Sequence, residues 1–357
     1  MEVEEFRDRE LVVKLLAELR EEVSTDQFKI MEVCGTHTRA LFRTGLREVL
    51  PSNLELVSGP GCPICVTAPD YIETAVQLAH RKEVMIASYG DLLKLPALNN
   101  RLEEVQGQQV KAVYSPLAAL KLAQDYPEQE VVFLAVGFET TAPVIALSIL
   151  QAQQKGISNY SILAGIKLMP PVMKELVLAE EVELDGFLCP GHVASIIGAQ
   201  PFEFLAADYG LPAVVAGFET GDIVFALLEL IGMMKSGEAE VLNCYPRVVE
   251  KKGNQEALKL LEQMFTLTAS RWRGLGEIAD SGLKLKESYQ EFSALNKLNL
   301  QFEEGRRENP NCSCGEILRG VKEPPDCELF GTVCSPQNPV GPCMVSQEGS
   351  CAIYYSN

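Results

Sequence analysis

This chain is short of histidine, of positive charge and of long apolar runs, and each shortage excludes something. Three histidines in 357 residues leave no room for a histidine-rich metal centre. Lys and Arg number 31 against 49 Asp and Glu, a formal net charge of -18, so the chain repels phosphate backbones and nucleic acid is not an expected partner. The most apolar helical stretch, Ile223 to Met234, is interrupted by Glu229 and is too short to span a bilayer, so no membrane partner is expected. The first ten residues carry mixed charge without an apolar core, which is not the pattern of a secretory or transit peptide. A cytoplasmic protein is the expectation. No Gly-rich stretch ends in the Lys-Ser/Thr pair of a phosphate loop, so no nucleotide site is legible.

What the chain has in excess is cysteine, eleven in all. In a reducing compartment such an excess argues for metal binding or redox chemistry before structural disulfides. Cys34, Cys62 and Cys65 lie early, Cys189 and Cys244 are isolated and read as small buried residues, and six crowd the tail.

The run Gly59-Pro60-Gly61-Cys62-Pro63-Ile64-Cys65 sets two thiols three residues apart in a backbone that cannot be regular, because glycine opens dihedrals that proline and the other residues close. It lies between a strand, Leu54 to Ser58, and a helix from Asp70 to His80. A pair so placed can close a disulfide, hold a metal, act as a dithiol acidified by helix amides, or simply fill a turn.

The same grammar recurs. Lys29 to Val33 runs into Cys34-Gly35-Thr36-His37-Thr38; Val84 to Ser88 into Gly90-Asp91; Val131 to Val136 into Gly137-Phe138-Glu139-Thr140; Gly186 to Leu188 into Cys189-Pro190-Gly191-His192; Ala213 to Ala216 into Gly217-Phe218-Glu219-Thr220. Helical patterns fill the gaps, which is the signature of doubly wound parallel sheets, whose ligands sit at strand carboxyl ends. His37, Glu139 and His192 are therefore candidate site residues, with Asp91 and Glu219 carrying less weight. The duplicated Gly-Phe-Glu-Thr tetrad points to two related halves or to one cleft met from two sides. The expected organisation is an α/β domain over 1–125, a second over 126–245, and a helical linker with a Cys-rich domain over 246–357; Trp272 to Gly276 reads as a loop.

Cys327, Cys334, Cys343 and Cys351 are spread through a Gly- and Pro-rich frame and lack the paired knuckles of zinc fingers. Four thiolates so spaced suit an iron-sulfur cube better than one zinc ion, though spacing alone leaves the metal open. Cys312 and Cys314 are two further thiols, spare or redox-active.

Taken together, Cys34 to Thr38, Gly59 to Cys65, Gly137 to Pro143, Pro190 to Val193 and the tail from Asp326 to Cys351 resemble the HypD family of hydrogenase maturation factors over essentially the whole chain, with Ile64 in place of the common valine. The resemblance implies a scaffold on which the iron of nickel-iron hydrogenases receives two cyanides and one carbon monoxide. It also implies a small HypC-like chaperone and a HypE-like cyanide donor as partners. Residue by residue, it makes Cys34 the thiolate on that transient iron with His37 beside it, Cys62 and Cys65 a redox dithiol, and Cys327, Cys334, Cys343 and Cys351 the holders of a 4Fe-4S cluster. A different class, a stand-alone dithiol oxidoreductase, uses the dithiol and the tail but leaves Cys34 and His37 without a task. A third possibility, a zinc-stapled interaction module with no chemistry, predicts a colourless protein.

Overall fold

The computed structural model describes residues 5–96, 101–105, 109–302 and 309–357. Eleven strands are assigned among them: β1 Phe28–Glu32, β2 Leu54–Ser58, β3 Val84–Ser88, β4 Val110–Ala112, β5 Glu130–Gly137, β6 Tyr160–Ile166, β7 Gly186–Pro190, β8 Ala213–Ala216, β9 Val241–Asn243, β10 Phe265–Trp272 and β11 Gly276–Leu285. They form a five-stranded parallel sheet, β2-β1-β7-β8-β9, a four-stranded parallel sheet, β4-β3-β5-β6, and an antiparallel hairpin, β10-β11. The fold is α/β with two parallel sheets, and a Cys-rich region follows them.

Both faces of each sheet are covered, and the strands alternate between two cores as the period of two requires. Ile30 and Leu56 face outward, where helices Arg9–Val23 and Thr220–Ser236 bury them with Leu188 and Val214. Val131, Phe133 and Ala135 face the second sheet's outer layer, helices Pro116–Asp125 and Ala142–Gln154. Met31, Val57, Val132, Leu134 and Phe187 face a central core that joins the sheets and runs on to the tail cysteines. Burial of such side chains is worth about 1.5–3 kcal/mol each.

The sheets cross the expected boundary at residue 125. The first takes strands from 28–58 and again from 186–243, while the second uses 84–166. The chain leaves the first sheet through helix Pro69–Ala79 and returns at β7. Strands near in sequence need not share a sheet, and nothing in the strand-loop-helix pattern says which crossover changes layer. A second correction concerns Trp272 to Gly276. Trp272 closes β10 and Gly276 opens β11, so only Arg273 to Leu275 form the turn. The end of this hairpin bridges back antiparallel to Thr67, just past Cys65.

Among the described residues no helix is long and apolar enough to cross a membrane.

Candidate functional site: thiols at a switch point

In the first sheet β1 is followed by β2 on one side, while β7 joins on the other, so the loops after β1 and β7 flank a topological switch point. That is where open α/β sheets bind ligands. Cys34 follows β1 as the N-cap of helix Gly35–Arg43, its carbonyl accepting from the His37 N–H at 2.8 Å. His192 begins the helix after β7 and is exposed. On the other flank the β2 loop presses in: the Gly35 N–H donates to the Gly61 carbonyl at 3.3 Å, and a Cβ on Gly61 would stand 2.5 Å from the backbone Cα and N of Cys34. Only glycine permits that approach, and it sets Cys62 next to the Cys34 backbone.

Cys34 is buried, and burial first, with the carboxylates Glu32 and Glu348 adding to it, pushes its thiol up to about 12 against the N–H groups of Thr36 and His37. Glu32, also buried, accepts from the Cys34 N–H at 3.2 Å and from the Thr38 hydroxyl; desolvation raises it to about 7 despite those bonds. His37 is fully buried, and desolvation lowers it to about 4, so it is neutral at pH 7. Its Nε2 bonds the Gly217 carbonyl at 3.0 Å and so carries the proton. Its buried Nδ1 keeps a lone pair with no hydrogen-bond partner among the described residues.

Phe218 holds both histidines. Its ring stacks on His37 at 4.7 Å and on His192 at 3.9 Å between centroids. The duplicated tetrad could have revealed Phe218, but attention to its carboxylate hides it. The carboxylate itself does other work: Glu219 caps helix Thr220–Ser236 and pairs with Arg7 at 2.7 Å, which holds it below its usual range. The other copy sits in the second sheet. Glu139 is buried there at the end of β5, accepting from the Met169 N–H at 2.8 Å with its second oxygen unpartnered among the described residues, and Phe138 stacks on Trp272 at 6.0 Å. The two tetrads thus end strands of different sheets, and Glu139's bonding is to Met169 rather than to the loops around Cys34. Asp91 lies in the short helix Gly90–Leu93 after β3, also in the second sheet.

The tail closes over this edge. The Thr36 hydroxyl donates to Glu348 at 2.9 Å, and a Cβ on Gly35 would strike the Glu348 carbonyl. Helix Ser350–Ser356 lays Tyr354 on Phe42 at 4.6 Å. The Cys65 thiol donates to the Pro342 carbonyl at 3.9 Å, which sets the Cys-x-x-Cys turn against the residue before Cys343. Six sulfurs, those of Cys312, Cys314, Cys327, Cys334, Cys343 and Cys351, line one small cavity with Ile317, Leu329, Phe330 and Met344. No carboxylate or imidazole enters that lining, and among the described residues no three His, Cys, Asp or Glu side chains close on a single metal ion. A soft, all-sulfur donor set in an apolar wall fits a thiolate-held iron-sulfur cluster. Each of the eleven cysteines is unbridged. Cys189 and Cys244 are buried as expected, and His80 is exposed at a helix end with Nδ1 bonded to the Val76 carbonyl at 2.8 Å.

These features define an α/β protein whose sheet-edge loops and Cys-rich tail gather thiols in one region. Comparison with known proteins narrows that class. The family model HypD, described as "Hydrogenase formation hypA family", matches residues 10–357. The hydrogenase expression/formation protein HupD of Azotobacter chroococcum is 43% identical over 99% of this chain and 96% of its own. The hydrogenase maturation factor HypD of Cupriavidus necator is 42% identical over 99% and 96%, and a putative hydrogenase expression/formation protein of Methanocaldococcus jannaschii is 41% identical over 98% of both. The chain belongs to the HypD family of hydrogenase maturation factors.

Proposed function

We propose that this chain is the scaffold on which the iron fragment of nickel-iron hydrogenases is built, with Cys34 holding the iron while two cyanides and one carbon monoxide are attached. A small HypC-like chaperone shares that iron, and a HypE-like protein brings the cyanide. The observation that carries this reading is the placement of Cys34: a thiol at the switch point of a parallel sheet, beside an imidazole with an unspent lone pair and the backbone of a Cys-x-x-Cys turn.

The chemistry follows from the surroundings. A thiol pushed to about 12 stays protonated at neutral pH, and a dication that binds sulfur displaces that proton. The neutral His37 offers Nδ1 as a further ligand or proton acceptor, and the Gly217 carbonyl holds the ring in the tautomer that keeps it free. Cyanide and carbon monoxide stabilise low-spin iron(II), for which thiolate is a soft companion. Cys62 and Cys65 serve as a dithiol: closing their disulfide passes two electrons to the iron site at Cys34, where the ligands are attached, and releases two protons. Cys327, Cys334, Cys343 and Cys351 would hold a 4Fe-4S cluster, which supplies one-electron chemistry when bound. Glu139, from the second sheet, would bind a hydrogen-bonding partner through its free oxygen.

The test is to purify the full chain without oxygen, together with a HypC-like partner and iron, and to record the cyanide and carbon monoxide infrared bands. Cys34→Ala is expected to abolish both the bands and co-purification. Retained co-purification and bands overturn the scaffold reading, and bands unchanged in Cys62→Ala remove the dithiol from it. A chain that reduces a partner's disulfide while never retaining iron is instead a stand-alone oxidoreductase.

A further inference from the structure

Arg273 is a buried cation whose bonding is incomplete. It sits at the turn of the hairpin and is 6% exposed. Its backbone N–H donates to the Val66 carbonyl at 3.0 Å and its Nε to the Thr67 carbonyl at 2.8 Å, so it grips the chain just past Cys65. The next residue, Gly274, carries φ +77° and packs its backbone on Gly315, one residue past Cys314; a Cβ on Gly315 would stand 2.9 Å from the Gly274 Cα. The hairpin tip is thus wedged between the exit of the Cys-x-x-Cys turn and the Cys312-Ser313-Cys314 segment. The guanidinium's Nη2 is buried with no hydrogen-bond partner among the described residues.

An unspent donor on a buried guanidinium is costly, and burying the charge itself costs several kcal/mol unless an anion faces it. Neither carbonyl that Arg273 grips supplies that charge. The hairpin tip that carries Arg273 packs on the segment holding Cys312 and Cys314, and the guanidinium charge favours the ionised form of Cys312, against the contact with Cys314 and the burial that raise that thiol. Cys312 lines the six-sulfur cavity.

We infer that Arg273 is the counter-charge of the cysteine cavity, its free N–H directed to anionic sulfur, a thiolate or the sulfide of a cluster held there. The inference rests on the cluster reading above. Arg273 acts as a positioning residue: it ties the exit of the Cys62–Cys65 turn to the cavity wall and sets the electrostatic potential inside. A positive charge beside a cluster favours the added electron, so Arg273 raises the cluster's midpoint potential.

The experiment uses the full chain purified without oxygen. Iron, acid-labile sulfide and the visible spectrum are measured first, then the midpoint potential by spectroelectrochemistry for the parent, Arg273→Met and Arg273→Lys. The expected result is a midpoint shifted to more negative potential in Arg273→Met at full cluster content and restored toward the parent in Arg273→Lys; a purely structural contact would not be rescued by charge. A parental midpoint in a fully loaded Arg273→Met overturns the inference. Should Arg273→Met fail to fold, the parent labelled with guanidinium-15N arginine decides: a nitrogen coupling to the reduced cluster in pulsed electron paramagnetic resonance is expected, and its absence overturns the inference. A parent without iron or sulfide is a separate outcome, which removes the cluster reading and this inference with it.

Discussion

Phe218 and His192 lie ring on ring, 3.9 Å apart with 24° between their planes, while the Phe218 ring also stacks on the buried His37. One aromatic residue, placed by the β8 loop, therefore orients imidazoles that arrive from the β1 and β7 loops. Aromatic pairs are worth about 0.5–1.5 kcal/mol beyond the area they bury. Phe218→Leu keeps apolar bulk but loses both stacks, so urea unfolding is expected to show about 1–3 kcal/mol less stability. On the proposed scaffold function, the cyanide and carbon monoxide infrared bands should weaken more than the stability loss explains. Full bands in Phe218→Leu would separate the stack from the site.

Gly61 carries a steric argument. A Cβ there would stand 2.5 Å from the Cys34 backbone, closer than real Cβ atoms approach, and backbone cannot swing aside as a flexible side chain does. Gly61→Ala is expected to part the β1 and β2 loops and to destabilise the protein by about 1–3 kcal/mol, the usual range for overpacking. Gly90, with open space around its Cβ position, is the control: Gly90→Ala should leave the midpoint of unfolding near the parent's. Equal effects at the two positions would refute the close approach.

Much of this was legible in the sequence, and the reasons differ by feature. β8 begins and ends where its apolar run does, Ala213–Ala216, because a strand buried on both faces in a parallel sheet must be continuously apolar. β4 and β9, three residues each with partly exposed side chains, carry no such run. The hairpin hides for another reason: β10 alternates solvent and core residues through a bulge between Thr268 and Ser270, which breaks the period. At the site the thiols and histidines announce themselves by type. Glu32, Glu348 and Arg273 do not, since an ordinary charged residue becomes notable only once folding buries it or brings it to Cys34.

Glu139 offers a pH test. Desolvation raises its carboxyl from 4.5 to about 7, so between those values the folded protein binds a proton that the unfolded chain does not. The associated stability is fully present below about 4.5 and is lost as pH rises through 7, on the order of 3 kcal/mol for a shift of this size. Glu139→Gln cannot ionise. Between pH 5 and pH 8 the parent should therefore lose more unfolding free energy than Glu139→Gln does. Parallel losses in the two proteins would show that Glu139 does not titrate in this window.

Removal of metal tests how the tail is held. Its regular elements are short: helices Cys314–Leu318 and Ser350–Ser356 and the 3-10 turns Pro324–Asp326 and Pro342–Met344, with Cys343 buried within the second turn, Cys351 within the second helix, and Cys327 and Cys334 in the loop between the two turns. Segments this small need a staple, and where ligands are drawn from a chain that cannot otherwise order them, binding free energy becomes folding free energy. The outer cores of the two parallel sheets contain none of the tail and do not share that dependence. On the proposed cluster reading, oxidative treatment followed by chelation is expected to leave the far-ultraviolet circular dichroism of the α/β body nearly intact while protease cleavage begins within 309–349. Loosening the tail withdraws Glu348 from Gly35 and Thr36, so Cys34, only 7% exposed in the closed form, should react with iodoacetamide severalfold faster. The competing account, a tail that packs through Tyr354 on Phe42 and Cys65 on the Pro342 carbonyl without metal, requires unchanged cleavage and unchanged Cys34 alkylation after chelation.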